Sequence, residues 1–281
     1  MPIYDVGGKV ALITGGARGI GFGIAQALYR RGASIALVDL DQAQVSAAAA
    51  RLGDRAVGLA ADVTDRAAID AAVAATVERF GGIDIVVANA GIAPAPASIR
   101  LMPSEEFERV IEVNLLGVYR TVHAGLGQIV ARQGQAVVVS SVYAFMNGIL
   151  LSPYAVAKAG VEQLGRALRL ELSPHGASAT VAYFGFVDTE MVRQGMEQRQ
   201  RQRGTDEELM PAFLRKRISP AQAGEAVAAG IEERKPRVIA PRWWAPPSVL
   251  RGVLNPLMDS AGEKSSRVHD EVRQAEAERG S

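Results

Sequence analysis

Tyr154 and Lys158 stand four residues apart in Ser152-Pro-Tyr-Ala-Val-Ala-Lys158, and Ser141 lies thirteen residues before Tyr154, just after the apolar run Ala136-Val-Val-Val-Ser140. A hydroxyl, a phenol and an ammonium so spaced suit proton transfer to and from a bound oxygen. A phenol with its ordinary pKa of about 10 is a weak base near neutrality, so it needs a cation nearby to stabilise the phenolate. Lys158 supplies that cation if both side chains share a helical face. Pro153 suits the first turn of a helix, where its missing N–H costs little, and positions 154 and 158 then project from one face a turn apart. The plainer alternative is an ordinary pair on an amphipathic helix, so the weight falls on the rest of the chain.

The elements that would position these groups begin at Lys9-Val-Ala-Leu-Ile-Thr14, a short β-rich apolar run. Gly15-Gly-Ala-Arg18-Gly19-Ile20-Gly21 follows, then the helix-like stretch Phe22–Arg31. Strand, glycine turn and helix in that order let the backbone approach a pyrophosphate, which the free N–H groups and dipole of a helix N-terminus favour. The spacing is Gly-x3-Gly-x-Gly rather than Gly-x-Gly-x-x-Gly, so a structural glycine turn remains the competing reading. A second apolar run, Ser34–Asp39, ends in an acid eighteen residues beyond Gly21. A carboxylate there can bind adenosine ribose hydroxyls and would repel a 2′-phosphate, and Leu40 offers no cation to neutralise one. NAD is therefore favoured over NADP, although Arg18 could reach a 2′-phosphate from the glycine turn. Two further strands are expected, Ala56–Ala61 before Asp62-Val63 and Ile83–Ala88 before Asn89-Ala90-Gly91. Alternation with alanine-rich helical stretches implies βαβ units and a parallel sheet, with ligands at the carboxyl ends of its strands. Asp62 and Asn89 fall at such ends, where each could equally be a turn former.

From about Lys9 to Ala240 the chain resembles the short-chain dehydrogenase/reductase family. The resemblance rests on Thr14-Gly-x3-Gly-x-Gly21, Asn89-Ala-Gly91, Asn114, Ser141 and Tyr154-x3-Lys158 in that order. It implies an α/β fold with a single doubly wound parallel sheet (Rossmann fold) and helices on both faces, from which the C-terminal extension past the last strand departs. It also implies roles: Tyr154 as acid/base, Lys158 lowering its pKa and holding the nicotinamide ribose, Ser141 bonding the substrate oxygen, and Asn114 holding a water in a proton relay. Asn114 on its own reads only as a polar residue inside a helix. Val187 and Thr189 match positions that touch the nicotinamide amide in relatives. Phe184 departs from the family's Pro-Gly after the sixth strand, either reshaping the substrate wall or packing under the sheet, with packing preferred.

A chain of 281 residues suits one large α/β domain, residues 1–240, with an extension at 241–281. The net charge of +1 provides no basic excess to attract nucleic acid. Absence of cysteine excludes disulfides and thiol catalysis, and His123, His175 and His269 are not clustered with acids, so no metal site is expected. The N-terminus has no basic segment followed by an apolar one, and no apolar run approaches the length of a membrane span, which together suggest a cytoplasmic protein.

The resemblance implies substrate-covering helices at about 189–217, with Met191, Val192, Met196, Leu209, Met210, Phe213 and Leu214 facing inward, either closing an apolar pocket or simply anchoring the helices. Beyond them, Pro241-Arg-Trp243-Trp244 and the apolar residues to Met258 could cap that pocket, pack against another subunit or touch a membrane interface, with packing ranked first. Residues 260–281 read as a polar helical or partly disordered tail. The leading functional expectation is a dehydrogenase or reductase interconverting a secondary alcohol and a ketone on a moderately lipophilic small molecule. A module that senses NAD/NADH without turnover is the alternative, and a dehydratase or epimerase would want a larger substrate domain. The resemblance also implies a homodimer or homotetramer.

Overall fold

Continuous apolar runs become strands buried on both faces. In the computed structural model, which describes residues 3–190 and 216–279, seven strands form one parallel sheet in the order β3-β2-β1-β4-β5-β6-β7. They are β1 (Val10–Thr14), β2 (Ser34–Asp39), β3 (Ala56–Ala60), β4 (Ile85–Ala88), β5 (Gln135–Ser141), β6 (Ser178–Phe184) and β7 (Arg237–Ala240). Every residue of β1, β4, β5 and β6 is buried, as a parallel sheet covered on both sides requires.

The pleat divides the core in two. Ala11, Ile13, Ile35, Leu37 and Val87 face α1 (Gly19–Arg30), α2 (Gln42–Leu52) and α7 (Pro220–Glu232). Leu12, Ala36, Val38, Val86 and Ala88 face α3 (Arg66–Phe80), α5 (Gly117–Ala131) and α6 (Ser152–Leu172). Each fully buried Leu, Ile or Val contributes about 1.5–3 kcal/mol. These two clusters hold the strand ends in place.

Chain order runs outward from β1 to β3, then returns to β4 beside β1 and continues the other way. The carboxyl ends of β1 and β4 therefore flank the point where the order reverses, which is where a doubly wound sheet opens a crevice. The first helix begins three residues earlier than its apolar pattern suggests, because Gly19 and Gly21 already lie in its first turn.

The extension beyond β7 folds back on the same chain as α8 (Ala245–Glu263) and α9 (Ser266–Arg279). Trp244 is fully buried against the sheet and Trp243 half-buried, so the tryptophan pair belongs to the core of this chain. Gly185 makes this possible, since a Cβ there would fall 2.3 Å from Trp244 Nε1. The tail is helical through Arg279. The inward-facing residues expected between Met191 and Leu214 lie outside the described residues.

Candidate active site

The glycine turn joins β1 to α1. Gly15 has φ +65°, and a Cβ on Gly21 would lie 2.2 Å from the Gly15 carbonyl oxygen, so neither position accommodates a side chain. Asn89, just after β4, props this turn from beneath. Its Nδ2 donates to the carbonyls of Thr14 (3.0 Å) and Gly15 (3.1 Å), while Thr14 Oγ1 accepts from Asn89 N (3.2 Å) and Ala90 N (3.4 Å). Arg18 occupies the N-cap of α1 without a side-chain cap, leaving first-turn N–H groups for a ligand. Its guanidinium pairs with Glu190 at the surface. Thr189 covers the turn from the other side, 3.4 Å from where a Gly19 Cβ would stand.

Asp39 closes β2. Its Oδ2 accepts from Ala17 N and its Oδ1 from Leu40 N, each at 2.9 Å, which aims the carboxylate across the mouth of the crevice. Asp62 follows β3; burial pushes its carboxyl up, but the Thr64 amide at 2.8 Å and the Arg109 guanidinium at 3.8 Å hold it below the usual range. Val63 is buried next to it.

Tyr154 and Lys158 project from the first turns of α6, which contains Pro153 at its start. Lys158 is buried and its Nζ donates to the Val139 carbonyl at 2.9 Å; burial lowers its pKa to about 8. The ammonium stands 5.5 Å from the centroid of the half-buried Tyr154 ring. Burial pushes the Tyr154 phenol up, and hydrogen bonding with Ser141 opposes that rise. Ser141, the last residue of β5, donates to the Phe184 carbonyl at 3.3 Å and accepts from Tyr143 N at the same distance. Tyr143 meets the Tyr154 ring edge-on at 5.9 Å between centroids.

Asn114 sits in a π-helical turn, Glu112–Leu116, between α4 (Ser104–Ile111) and α5. Such wide turns rotate a side chain out of the α register and recur at functional sites. Here the amide reaches the Ile92 peptide: Oδ1 accepts from Ile92 N and Nδ2 donates to Ile92 O, both at 2.7 Å.

One cavity of about 640 Å³ connects these groups. Gly15, Arg18, Gly19, Ile20, Asp39, Asp62, Val63, Asn89, Ala90, Gly91, Val187 and Thr189 line it together with Ser141, Tyr154 and Lys158. Gly21 and Asn114 lie behind its wall, acting on it through Gly15 and Ile92. Arg109, Ile92 and the Thr14 hydroxyl were not anticipated, since each depends on a long-range partner with no sequence signal. Phe184 both joins the core under the sheet and edges the cavity. Among the described residues no group of His, Cys, Asp or Glu is placed to hold a metal, and no helix is long and apolar enough to cross a membrane.

A glycine cradle that excludes Cβ atoms, open helix amides and a carboxylate at the end of β2 fit an extended dinucleotide, and the fold is that of a dinucleotide-dependent oxidoreductase. Residues 9–200 match the family described as short chain dehydrogenase, and the chain belongs to that family. It is accordingly an oxidoreductase acting on alcohol or keto groups with a nicotinamide cofactor. It is 37% identical over 187 residues to the 3-oxoacyl-[acyl-carrier-protein] reductase of Vibrio cholerae, covering 66% of this chain and 76% of that one. It is 39% identical over 184 residues to galactitol 2-dehydrogenase of Agrobacterium fabrum, covering 65% and 72%. The structure of a 3-ketoacyl-(acyl-carrier-protein) reductase from Brucella melitensis complexed with NADH superposes with TM-score 0.74 at 28% identity, over 84% of this chain and 97% of that one.

Proposed function

We propose that the chain is an NAD-preferring dehydrogenase that interconverts a secondary alcohol and a ketone on a moderately lipophilic small molecule, with Tyr154 as acid/base. The observation that carries this reading is that Ser141, Tyr154 and Lys158, from two different elements, line one cavity with the glycine turn. Gly15, Gly19, Ile20 and the α1 amides would hold the pyrophosphate, Asp39 the adenosine ribose, Asp62 and Val63 the adenine, and Asn89, Ala90, Gly91, Val187 and Thr189 the nicotinamide half. The nicotinamide, when bound, supplies the hydride acceptor or donor. Ser141 can exchange its long 3.3 Å bond to Phe184 O for the substrate oxygen. Tyr154 takes the alcohol proton in the oxidation direction and returns it to the carbonyl oxygen in reduction. Lys158, held by Val139 O, presents its ammonium beside the phenol and to the nicotinamide ribose. Asn114 fixes Ile92, whose neighbours Ala93 and Pro94 form an apolar wall for the substrate.

NAD preference is supported by Asp39 at the ribose position, by the exposed Leu40 beside it, and by the engagement of Arg18 with Glu190. The apolar residues Leu116, Tyr119 and Val156, exposed on the π turn, α5 and α6, support assembly as a homodimer or homotetramer.

The test follows NADH formation from NAD with secondary alcohols ranging from small chains to terpenoids and steroids. Tyr154→Phe should reduce turnover by about 10²–10⁴-fold while leaving NADH affinity within a few-fold. Unchanged turnover in Tyr154→Phe would rule out the phenol as acid/base.

A further inference from the structure

The segment between β4 and α4, Ile92–Leu101, has no regular structure, yet its first three residues line the cavity. Pro94 and Pro96 have no N–H to donate and Ala97 N bonds Leu150 O at 2.9 Å, so the backbone before Ala97 is fixed by side chains from elsewhere. It starts at Gly91, where a Cβ would stand 3.7 Å from Lys158 Nζ. From inside the molecule, Asn114 holds both polar groups of the Ile92 peptide.

From outside, the C-terminal helix α9 does the corresponding work. Arg279 donates to both carboxylate oxygens of Glu106 (3.1 and 3.4 Å) and to the Ala95 carbonyl (3.3 Å), while Glu106 Oε1 accepts from Ala95 N at 2.9 Å. Both polar groups of the Ala95 peptide are thus satisfied by one ion pair, next to Pro94 at the cavity wall. One turn earlier, Glu276 accepts from Ser98 Oγ (2.7 Å) and from Arg100 Nε (3.2 Å) and Nη2 (2.5 Å). The helix before it is tied down independently. Arg251 of α8 makes two bonds of 2.7 and 2.8 Å to the buried carboxylate of Glu162, one turn beyond Lys158, and Asp259 accepts from Asn147 Nδ2 at 3.0 Å. The extension is therefore anchored to the catalytic helix at one end and grips the loop at the other.

We propose that α9 is a latch that positions the 92–101 loop through Glu276 and Arg279, and thereby sets how tightly the cleft admits its alcohol or ketone. Both are positioning residues, acting through Ala95, Ser98 and Arg100 on the wall formed by Ile92, Ala93 and Pro94. This rests on reading the cleft as the dehydrogenase site, and the test separates the two.

The full-length double variant Glu276→Gln/Arg279→Met is compared with wild type by hydrogen exchange, with and without NADH, and by steady-state kinetics. Amide exchange across 92–101 should rise about tenfold while β4 and β5 keep their protection. KM for the alcohol should rise about three- to tenfold, with kcat and NADH affinity changed by no more than about twofold, the pattern of lost ground-state positioning. The charge swap Arg100→Glu/Glu276→Arg should keep the loop protected, whereas Glu276→Arg alone should not. A double variant whose loop exchanges at the wild-type rate overturns the latch, as does one that only melts earlier with KM unchanged. If no alcohol in the panel turns over, the exchange result still decides the latch, and the missing turnover counts against the dehydrogenase reading alone.

Discussion

Lys158 should weaken the fold it serves, and replacing it with methionine tests this. Burial lowers its pKa from the ordinary 10.5 to about 8, and that difference corresponds to about 3 kcal/mol spent on keeping the ammonium charged at neutral pH. Methionine fills nearly the same volume without charge. It also strands the Val139 carbonyl that Nζ now satisfies at 2.9 Å, which costs about 1 kcal/mol. Lys158→Met should therefore stabilise the cofactor-free protein by about 2 kcal/mol at pH 7, a rise in Tm of about 4–6 °C. The pH dependence follows from linkage. The folded lysine binds its proton less tightly than the unfolded one, so its penalty is complete below pH 8 and fades as pH rises toward 10.5. The advantage of Lys158→Met should accordingly shrink between these limits and reverse once only the lost hydrogen bond counts. Denaturant unfolding of both proteins without cofactor, at pH 7 and pH 9.5, measures the difference with other groups cancelling. A variant less stable than wild type at pH 7, or a difference that does not move with pH, would refute the reasoning.

Ser141→Ala removes the hydrogen bond that restrains the Tyr154 pKa, leaving burial to push it further up; the acidic limb of the kcat/KM profile for alcohol oxidation should move to higher pH, read from rates across pH 6–10. Asp39→Ala should reduce discrimination against the 2′-phosphate, raising the ratio of NADPH to NADH affinity by about tenfold in fluorescence titrations, an unchanged ratio counting against its ribose role. Arg251→Met removes the two-bond partner of the Glu162 carboxylate, 5% exposed, leaving only the exposed Arg166 at 3.8 Å, and should cost about 2–4 kcal/mol in denaturant unfolding. Adding Glu162→Leu to that variant should restore much of the loss, because the stranded charge is then gone.

Features written within a single turn or strand were the legible ones. The apolar run Ala136–Ser140, too short for a helix and rich in Val, fits a strand covered on both faces, and the glycines between Thr14 and Phe22 mark a turn beside a strand end. The Tyr154–Lys158 spacing places both groups on one side of α6 however the rest folds. Asn114 shows where such reading stops. Its sequence, Glu112-Val-Asn-Leu-Leu116, looks like ordinary helix, yet the turn is π and delivers the amide to Ile92, twenty-two residues away. Arg109 gave no signal either, since its partner Asp62 lies on another element and one arginine among many exposed charges has no periodicity. The same holds for Glu276 and Arg279. In sequence they belong to a polar tail, and only the return of the chain beyond β7 brings them against the loop behind the cavity wall.

Phe184 and Gly185 show why a departure from a family pattern need not disturb the site. Proline at 184 would remove an N–H from β6, which lies between β5 and β7, so this chain's phenylalanine keeps the strand's full complement of donors to its last residue. Its ring joins the core with Val187, and its carbonyl still stands where Ser141 Oγ can donate. Glycine at 185 is the part that cannot change, because the Trp244 indole occupies the space of any Cβ. That indole opens the extension, so the same glycine that borders the cavity also seats the start of the C-terminal segment. The extension and the end of β6 are thus coupled through one close contact, and a side chain at 185 would disturb both.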